Sequence, residues 1–188
     1  MNVWWILACA GLAAQILGST VSDPDFSRYR GFEFGSSVAA VATMAKTAPS
    51  EARTLHRRPA LLQDLDWTPS SNDSVAQVVF SFYNDQLFRV VADYASDRTE
   101  GMTAAELIEA ISDDYGSPAV RTANTRTASR VEAMSGTPLA RWEDGGHTVV
   151  LYRTSTYPAG FRLIATAVAL DGRARQAEAE ALRLDARP

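Results

Sequence analysis

Lysine is almost absent from this 188-residue sequence, since Lys46 is the only lysine among 18 basic residues. The basic residues are outnumbered by 22 acidic ones, which gives a net charge of −4. Phosphate binding needs a basic surface, so this balance argues against a nucleic-acid partner. The preference for arginine, together with the richness in alanine, indicates genome composition rather than function.

Cysteine and histidine are equally scarce. The single cysteine, Cys9, lies in the apolar N-terminal segment, and a chain without that segment has no disulfide, thiol nucleophile or cysteine metal ligand. There are only two histidines, His56 and His147. Glu143 or Asp144 with His147 could hold a metal ion, but a site needs three or four ligands. We therefore expect no metal and no cofactor.

The N-terminal segment lacks charge. Residues 3–14 form an unbroken run of apolar or small residues, and the first charged residue is Asp23. A bilayer span needs about 20 residues, so this shorter run fits the hydrophobic part of a secretory signal better. Residues before Cys9 also form an imperfect lipidation box. We predict that residues 1–18 are a signal peptide or a membrane anchor. The protein is then periplasmic, secreted or tethered, and touches the membrane only through this segment.

The rest of the chain has a globular composition, with 46% hydrophobic residues. Residues 19–30 are predicted to form a polar linker and residues 31–98 a first α/β unit. Ser36 or Ser37 is a natural helix N-cap. Strands are predicted at 61–67, 75–83 and 87–94 from alternating apolar residues. In the last of these, Phe88, Val90, Ala92 and Tyr94 are expected to share one face, as are Ala76, Val78, Phe80 and Phe82 in the strand before it.

Residues 99–172 are predicted to form a second unit of the same kind. Thr103 and Glu106 have the spacing of a capping box, and Gly116 ends the helix that follows. One or two strands are predicted within 130–142, and further strands at 147–153 and 161–170. Residues 173–188 are predicted to form a C-terminal helix and tail.

Residues as well as patterns recur between the two units. Gly35-Ser36-Ser37 matches Gly101-Met102-Thr103, Trp67 matches Trp142, and Phe88-Arg89 matches Phe161-Arg162. A period near 70 residues is too long for a solenoid. We predict an α+β fold with two tandem units, each a short helix followed by antiparallel strands, plus a C-terminal helix. Chance similarity between amphipathic hairpins is the alternative. The two tryptophans are expected to pack in the core.

Residues 101–118 (GMTAAELIEAISDDYGSP) resemble the helix signature of small bacterial envelope proteins of the SmpA/OmlA kind. The same helix-then-strands unit, in tandem, builds the β-lactamase-inhibitor-protein-like fold, which the chain also resembles. The resemblance implies this fold, an envelope location, and binding rather than catalysis. It assigns no functional residue in this chain.

No phosphate loop, nucleophile elbow, zinc-protease motif or calcium loop is present, so we do not expect an enzyme. Arginine and aromatic residues are enriched at interface centres. The strand pattern therefore suggests a binding surface that contains Tyr83, Arg89, Tyr152, Arg153 and Arg162. We predict a non-catalytic binding or interaction module whose partner is a protein or another component of the cell envelope.

Two alternatives remain. Asp64 and Asp66 share one strand face and, with His147, could serve a secreted hydrolase, provided that the tertiary structure brings them together. His147 follows the turn Asp144-Gly145-Gly146, whose residues are typical of a hairpin without any metal. A purely structural envelope component without a discrete ligand is the other alternative.

Overall fold

A computed structural model describes residues 24–99, 101–121, 136–154 and 160–185. These residues form an α+β fold with three helices and two antiparallel sheets. The predicted leader at 1–18, Cys9 and the first part of the predicted linker lie outside the described residues. Within the described ranges, no helix has both the length and the apolar character needed to cross a membrane.

The three helices are α1 (Val38–Ala45), α2 (Ala104–Tyr115) and α3 (Val168–Asp185). Ser37 caps α1 by accepting a hydrogen bond from the Ala40 N–H at 3.2 Å. Thr103 caps α2, and the Glu106 carboxylate accepts the Thr103 N–H in return at 2.7 Å. These side chains satisfy backbone donors that the first helical turn leaves unpaired, and the predicted caps are confirmed.

The boundary before α3 was predicted wrongly. The last strand was expected to continue to residue 170, the second unit to residue 172 and the helix to begin at 173. The strand ends at Ala167, and α3 begins directly at Val168. A short apolar run such as Val168-Ala169-Leu170 fits either a strand or a buried helix. Here Asp171 and Ala174 follow at helical spacing and are buried.

A two-stranded hairpin and an eight-stranded sheet contain all the described strands. The hairpin is β1 (Arg28–Tyr29) with β2 (Phe32–Glu33). The large sheet has the order β3-β4-β5-β6-β10-β9-β8-β7, and every neighbouring pair is antiparallel. Its strands are β3 (Arg53–His56), β4 (Leu62–Trp67), β5 (Val75–Tyr83), β6 (Gln86–Tyr94), β7 (Val120–Arg121), β8 (Thr137–Glu143), β9 (His147–Arg153) and β10 (Phe161–Ala167).

The pairing register relates the two halves of the large sheet. β6 and β10 pair at its centre, with Val91 opposite Ile164. From this pair outward the sheet continues with β5, β4 and β3 on one side and with β9, β8 and β7 on the other. Trp67 of β4 lies opposite Val78 of β5, and Trp142 of β8 lies opposite Val149 of β9. The two tryptophans therefore occupy corresponding places on either side of the central pair.

Helices cover both faces of the large sheet. α1 and α2 pack on one face, where the main core includes Leu65, Phe80 and Trp142, and we call this the α1/α2 face. α3 crosses the other face, the α3 face, where Leu62, Phe88 and Ala174 form a smaller cluster. Trp142 is fully buried, and the partly buried Trp67 packs against the main core, as expected for both.

Phe88 corrects the predicted alternation in β6. Between the pairs Phe82–Leu87 and Ser81–Arg89 the register shifts, which leaves Phe88 as the extra residue of a β-bulge. Leu87 therefore joins the main core, whereas Phe88 packs beneath α3. Phe161 lies in the main core, so the two phenylalanines are not on equivalent faces.

A second bulge changes the start of β5. The register shifts between Val75 and Gln77, so that Val75 is buried and Ala76 is exposed. The expected inward position of Ala76 is therefore wrong, because an extra residue reverses the side-chain alternation that precedes it.

The described part of the predicted linker is structured. β1 falls within residues 19–30, and Phe26 and Tyr29 belong to the main core. The hairpin between β1 and β2 turns at Arg30 and Gly31, which has a φ of +89°. Strands of two residues are too short to produce a visible alternation, and the sequence reading therefore missed this hairpin.

Candidate functional site

Four of the five residues predicted as a binding surface lie on the α3 face. Tyr83, Arg89, Tyr152 and Arg162 project to this side, as their strand partners and clusters show. Arg153 is exposed on the opposite side, where its guanidinium lies 4.8 Å from the centre of the Phe161 ring. Tyr152 and Arg153 are successive residues of one strand and therefore point to opposite faces, so the five residues do not share one surface.

The two arginines on the α3 face are paired within the chain. Arg89 binds the carboxylate of Asp171, and both side chains are nearly buried, with 13% and 7% of their surface exposed. Arg162 donates two hydrogen bonds to Asp93, at 2.6 and 2.9 Å. The first of these pairs joins the sheet to α3, and the second joins β10 to β6 within the sheet.

The two tyrosines on the α3 face also contribute to packing. Tyr83 is half-buried against the cluster that contains Leu62 and Ala174. Tyr152 is buried together with Val150 and Ile164. The predicted surface is consequently not an open aromatic patch.

The residues of the alternative hydrolase are not brought together. Asp64 and Asp66 lie on the α3 face of β4. His147 begins β9 on the α1/α2 face, stacked on Phe34 with a centroid distance of 5.4 Å. Three strands separate β4 from β9, which corresponds to about 19 Å. In the ranges that the structure describes, no cluster of three or more acidic, histidine or cysteine side chains could hold a metal ion.

Asp64 is the most enclosed acidic group of β4. Ser81 donates its hydroxyl to the Asp64 carboxylate at 2.8 Å, and Arg53 approaches it to 3.6 Å. Burial raises the pKa of the Asp64 carboxyl, although the Ser81 hydrogen bond and the Arg53 charge oppose this. The folded state therefore favours the protonated acid more than the unfolded chain does.

Replacing Asp64 with asparagine should stabilise the protein increasingly as the pH rises. Because the folded pKa lies above the unfolded one, the stabilising contribution of protonated Asp64 is complete below the unfolded pKa and is lost as the pH rises through the folded pKa. The asparagine side chain never ionises, and its carbonyl oxygen can still accept the Ser81 hydroxyl. We expect the free energy of unfolding of Asp64→Asn, relative to the wild type, to increase between pH 3 and pH 6. Urea denaturation measures this, with the exposed Asp66→Asn as the control; a constant or shrinking difference contradicts it.

A cleft between the β1–β2 hairpin and α2 brings together several groups that the sequence reading did not connect. It has a volume of about 220 Å³. Three tyrosines line it: Tyr29 of the hairpin, Tyr94 at the end of β6, and Tyr115, the last residue of α2. Tyr115 lies on the same buried face of α2 as Leu107 and Ile111. Leu107 and Ile111 form part of the apolar lining of the cleft.

The tyrosine hydroxyls of the cleft differ in their partners. Tyr115 donates a hydrogen bond to the Arg28 carbonyl oxygen at 3.2 Å. Tyr29 is 3% exposed, and among the described residues its hydroxyl has no hydrogen-bond partner. Burial raises the pKa of Tyr29, Tyr94 and Tyr115, so all three phenols stay neutral at physiological pH. The phenols at the cleft are therefore uncharged. Tyr115 already donates its proton to the Arg28 carbonyl, whereas the Tyr29 hydroxyl can still donate and accept a hydrogen bond.

The charged groups at the cleft are arranged around Arg30. Its guanidinium binds the Asp73 carboxylate at 2.6 Å and lies 5.7 Å from the centre of the Tyr29 ring. This contact also holds the pKa of Asp73 below its usual range. Asp114 is exposed on the α2 side of the lining. One cation and one anion are thus already paired.

The sequence carries one signal of this site, in the spacing of its aromatic residues. Phe26, Tyr29 and Phe32 recur at every third residue within and just after the predicted linker, and a solvated linker does not need aromatic residues. This chain matches no protein-family model, no curated protein and no solved structure, so a functional proposal rests on its own residues.

Proposed function

We propose that this chain is a non-catalytic binding protein of the bacterial cell envelope and that the tyrosine-lined cleft is its ligand site. The observation that carries the proposal is the buried hydroxyl of Tyr29, unpaired among the described residues. Buried polar groups are nearly always hydrogen-bonded, and an unsatisfied one costs about 1–3 kcal/mol. Conflicts of this kind between stability and local chemistry are typical of functional sites.

The electrostatics of the cleft favour holding a ligand over transforming one. The phenols of Tyr29 and Tyr94 are stabilised in their neutral form, which suits hydrogen bonding rather than proton transfer near pH 7. The only arginine that lines the described part of the cleft, Arg30, is bound to Asp73. The cleft therefore supports the binding function that the sequence suggested, at a place other than the predicted surface.

The proposal includes a tandem origin for the two halves of the chain. Among the described residues, each half contributes one helix and then four strands of the large sheet, and the last of these strands in both halves pair at its centre. In this register Arg89 corresponds to Arg162 and Trp67 to Trp142, which are the matches found in the sequence. This supports two tandem units of the kind found in SmpA/OmlA-like and β-lactamase-inhibitor-protein-like folds. The envelope location is proposed from that resemblance and from the apolar leader.

The two proposed units differ at the cleft. Counting from the central pair Val91–Ile164, Tyr94 in the first unit corresponds to Ala167 in the second. The second unit thus lacks the phenol that β6 supplies. A duplicated fold first repeats the residues that cap and pack it, so residues that are not repeated are the better candidates for function.

Removing the Tyr29 hydroxyl should stabilise the empty protein. Tyr29→Phe keeps the buried ring and eliminates an unsatisfied polar group, so we expect the free energy of unfolding to rise by about 1–3 kcal/mol. Tyr115→Phe is the matched control: it removes a hydroxyl that is bound to the Arg28 carbonyl, and a loss of about 1 kcal/mol is expected. Urea denaturation of the full-length chain measures both. Equal losses in the two variants would mean that Tyr29 has a partner after all.

The binding function itself can be tested with a small-molecule extract of bacterial periplasm. We expect the extract to raise the melting temperature of the wild type and to leave Tyr29→Phe unchanged, because ligands that bind only the folded state stabilise it. Mass spectrometry of the extract before and after incubation should show no compound consumed. An equal shift in both proteins would exclude the cleft as the site, and consumption of a compound would refute the non-catalytic proposal.

A further inference from the structure

We infer that the cleft binds a small uncharged ligand that carries a hydrogen-bond-accepting oxygen on an apolar body. This inference rests on the proposed function and adds the chemical class of the ligand. Three properties of the lining carry it: its volume, its apolar wall and the unpaired hydroxyl of Tyr29.

The volume sets the size of the ligand. A cleft of about 220 Å³ is smaller than the roughly 300–1,000 Å³ that drug-sized ligands occupy. A ligand that the cleft encloses is therefore smaller than a typical drug molecule. A nucleotide or a peptide of several residues is therefore too large to be enclosed.

Apolar side chains form one wall of the cleft. Leu107 and Ile111 reach it from α2, and Leu163 reaches it from β10; all three belong to the main core. Contact with such a wall releases water from an apolar body, which favours a ligand made mostly of carbon. The wall supplies affinity but no orientation.

The Tyr29 phenol supplies the orientation. Its hydroxyl is buried without a partner in the described part of the chain. An accepting oxygen on a ligand that reaches this enclosed hydroxyl would satisfy the Tyr29 O–H without breaking an existing hydrogen bond. A purely hydrocarbon ligand would leave this donor unpaired.

The charges of the cleft disfavour an ionic ligand. An anion that approached Arg30 would be repelled by the Asp73 carboxylate, which already lies 2.6 Å from the guanidinium and neutralises its charge. A cation would lose its hydration against Leu107, Ile111 and Leu163, and the carboxylate that the described lining offers, Asp114, is exposed to solvent. Burying a charge without a desolvated partner is unfavourable. The neutral phenols, by contrast, can form hydrogen bonds with an uncharged ligand.

Four probes with the same six-membered carbon ring test the inference: cyclohexanone, methylenecyclohexane, cyclohexanecarboxylate and cyclohexylammonium. Ligand-detected NMR titrations with the full-length wild type should show cyclohexanone binding about tenfold more tightly than methylenecyclohexane, which has the same shape without the oxygen. In Tyr29→Phe this preference should disappear, and in Tyr115→Phe it should remain. Both charged probes should bind at least about tenfold more weakly than the ketone.

The outcomes separate the ligand class from the proposed function. Equal affinity for the ketone and the hydrocarbon, or failure of the ketone to bind at millimolar concentrations, overturns the inference. Tighter binding of a charged probe also overturns it, and if that binding depends on Tyr29, the cleft is still a ligand site. The periplasmic extract tests the proposed function independently of these probes.

Discussion

Replacing Asp171 with alanine is expected to lower the free energy of unfolding by about 3–5 kcal/mol, which is the usual cost of removing one partner of a buried ion pair. Asp171 lies in the first turn of α3, is 7% exposed and binds both Arg89 and Arg175. Without it the Arg89 guanidinium, 13% exposed, remains beneath α3 and loses the carboxylate that is hydrogen-bonded to it. Urea denaturation of the full-length chain, followed by circular dichroism, measures the loss.

Asp93→Ala provides the matched control on the same face of the sheet. Asp93 binds Arg162, but both side chains are about 30% exposed, so a loss of no more than about 1 kcal/mol is expected. The double variant Asp171→Leu with Arg89→Met should recover most of the stability, since apolar replacement of a buried pair is often nearly neutral. A loss for Asp171→Ala no larger than that for Asp93→Ala would contradict the structural role of the pair.

The ion pair of Arg89 also explains why strand alternation alone misjudged this residue. Alternation placed Arg89 correctly away from the main core, and an arginine on that face resembles an interface residue. Its partner lies 82 positions further along the chain, in a helix whose first turn had been predicted as strand. The sequence therefore indicated the direction of the side chain but not what covers it.

The elements that were predicted well are those determined by neighbouring residues. Val75–Tyr83 and His147–Arg153 form strands over the predicted residues, and Thr103 with Glu106 forms the expected capping box. Alternation and capping act over two to four residues, so a single sequence contains all the information that they require. The same applies to the turn at Asn84 and Asp85, both of which have positive φ.

The features that were missed depend on contacts between distant segments. The bulge at Phe88 is a property of the pairing between β5 and β6, and the edge strands β3 and β7 are short. The cleft combines Tyr29, Tyr94 and Tyr115 from three separate elements. Each of these tyrosines by itself looks like an ordinary core residue, and only the fold shows that the Tyr29 hydroxyl is unpaired among the described residues.

Trp142→Ala is expected to cost about 3–5 kcal/mol, the range for truncating a large aromatic side chain in a core. Trp142 is 1% exposed, and its indole N–H donates to the Gly116 carbonyl at 2.8 Å. Trp67 is the matched control, because it has the corresponding register opposite Val78. Trp67 is only partly buried, and its ring contacts Phe32 at a centroid distance of 5.3 Å, so a smaller loss is expected for Trp67→Ala. Thermal and urea denaturation measure both variants.

The two tryptophan variants should also differ at the cleft. Gly116, which accepts the Trp142 indole, directly follows Tyr115 at the end of α2. Loss of this hydrogen bond should loosen the position of Tyr115, so Trp142→Ala is expected to weaken cyclohexanone binding even under conditions where the variant is folded. Trp142→Phe, which keeps an aromatic ring but no donor, should show the same weakening with a smaller loss of stability. Equal losses of stability in Trp67→Ala and Trp142→Ala, with ligand binding unchanged in both, would contradict this. The two tryptophans would then contribute equally, and the hydrogen bond to Gly116 would have no effect on the cleft.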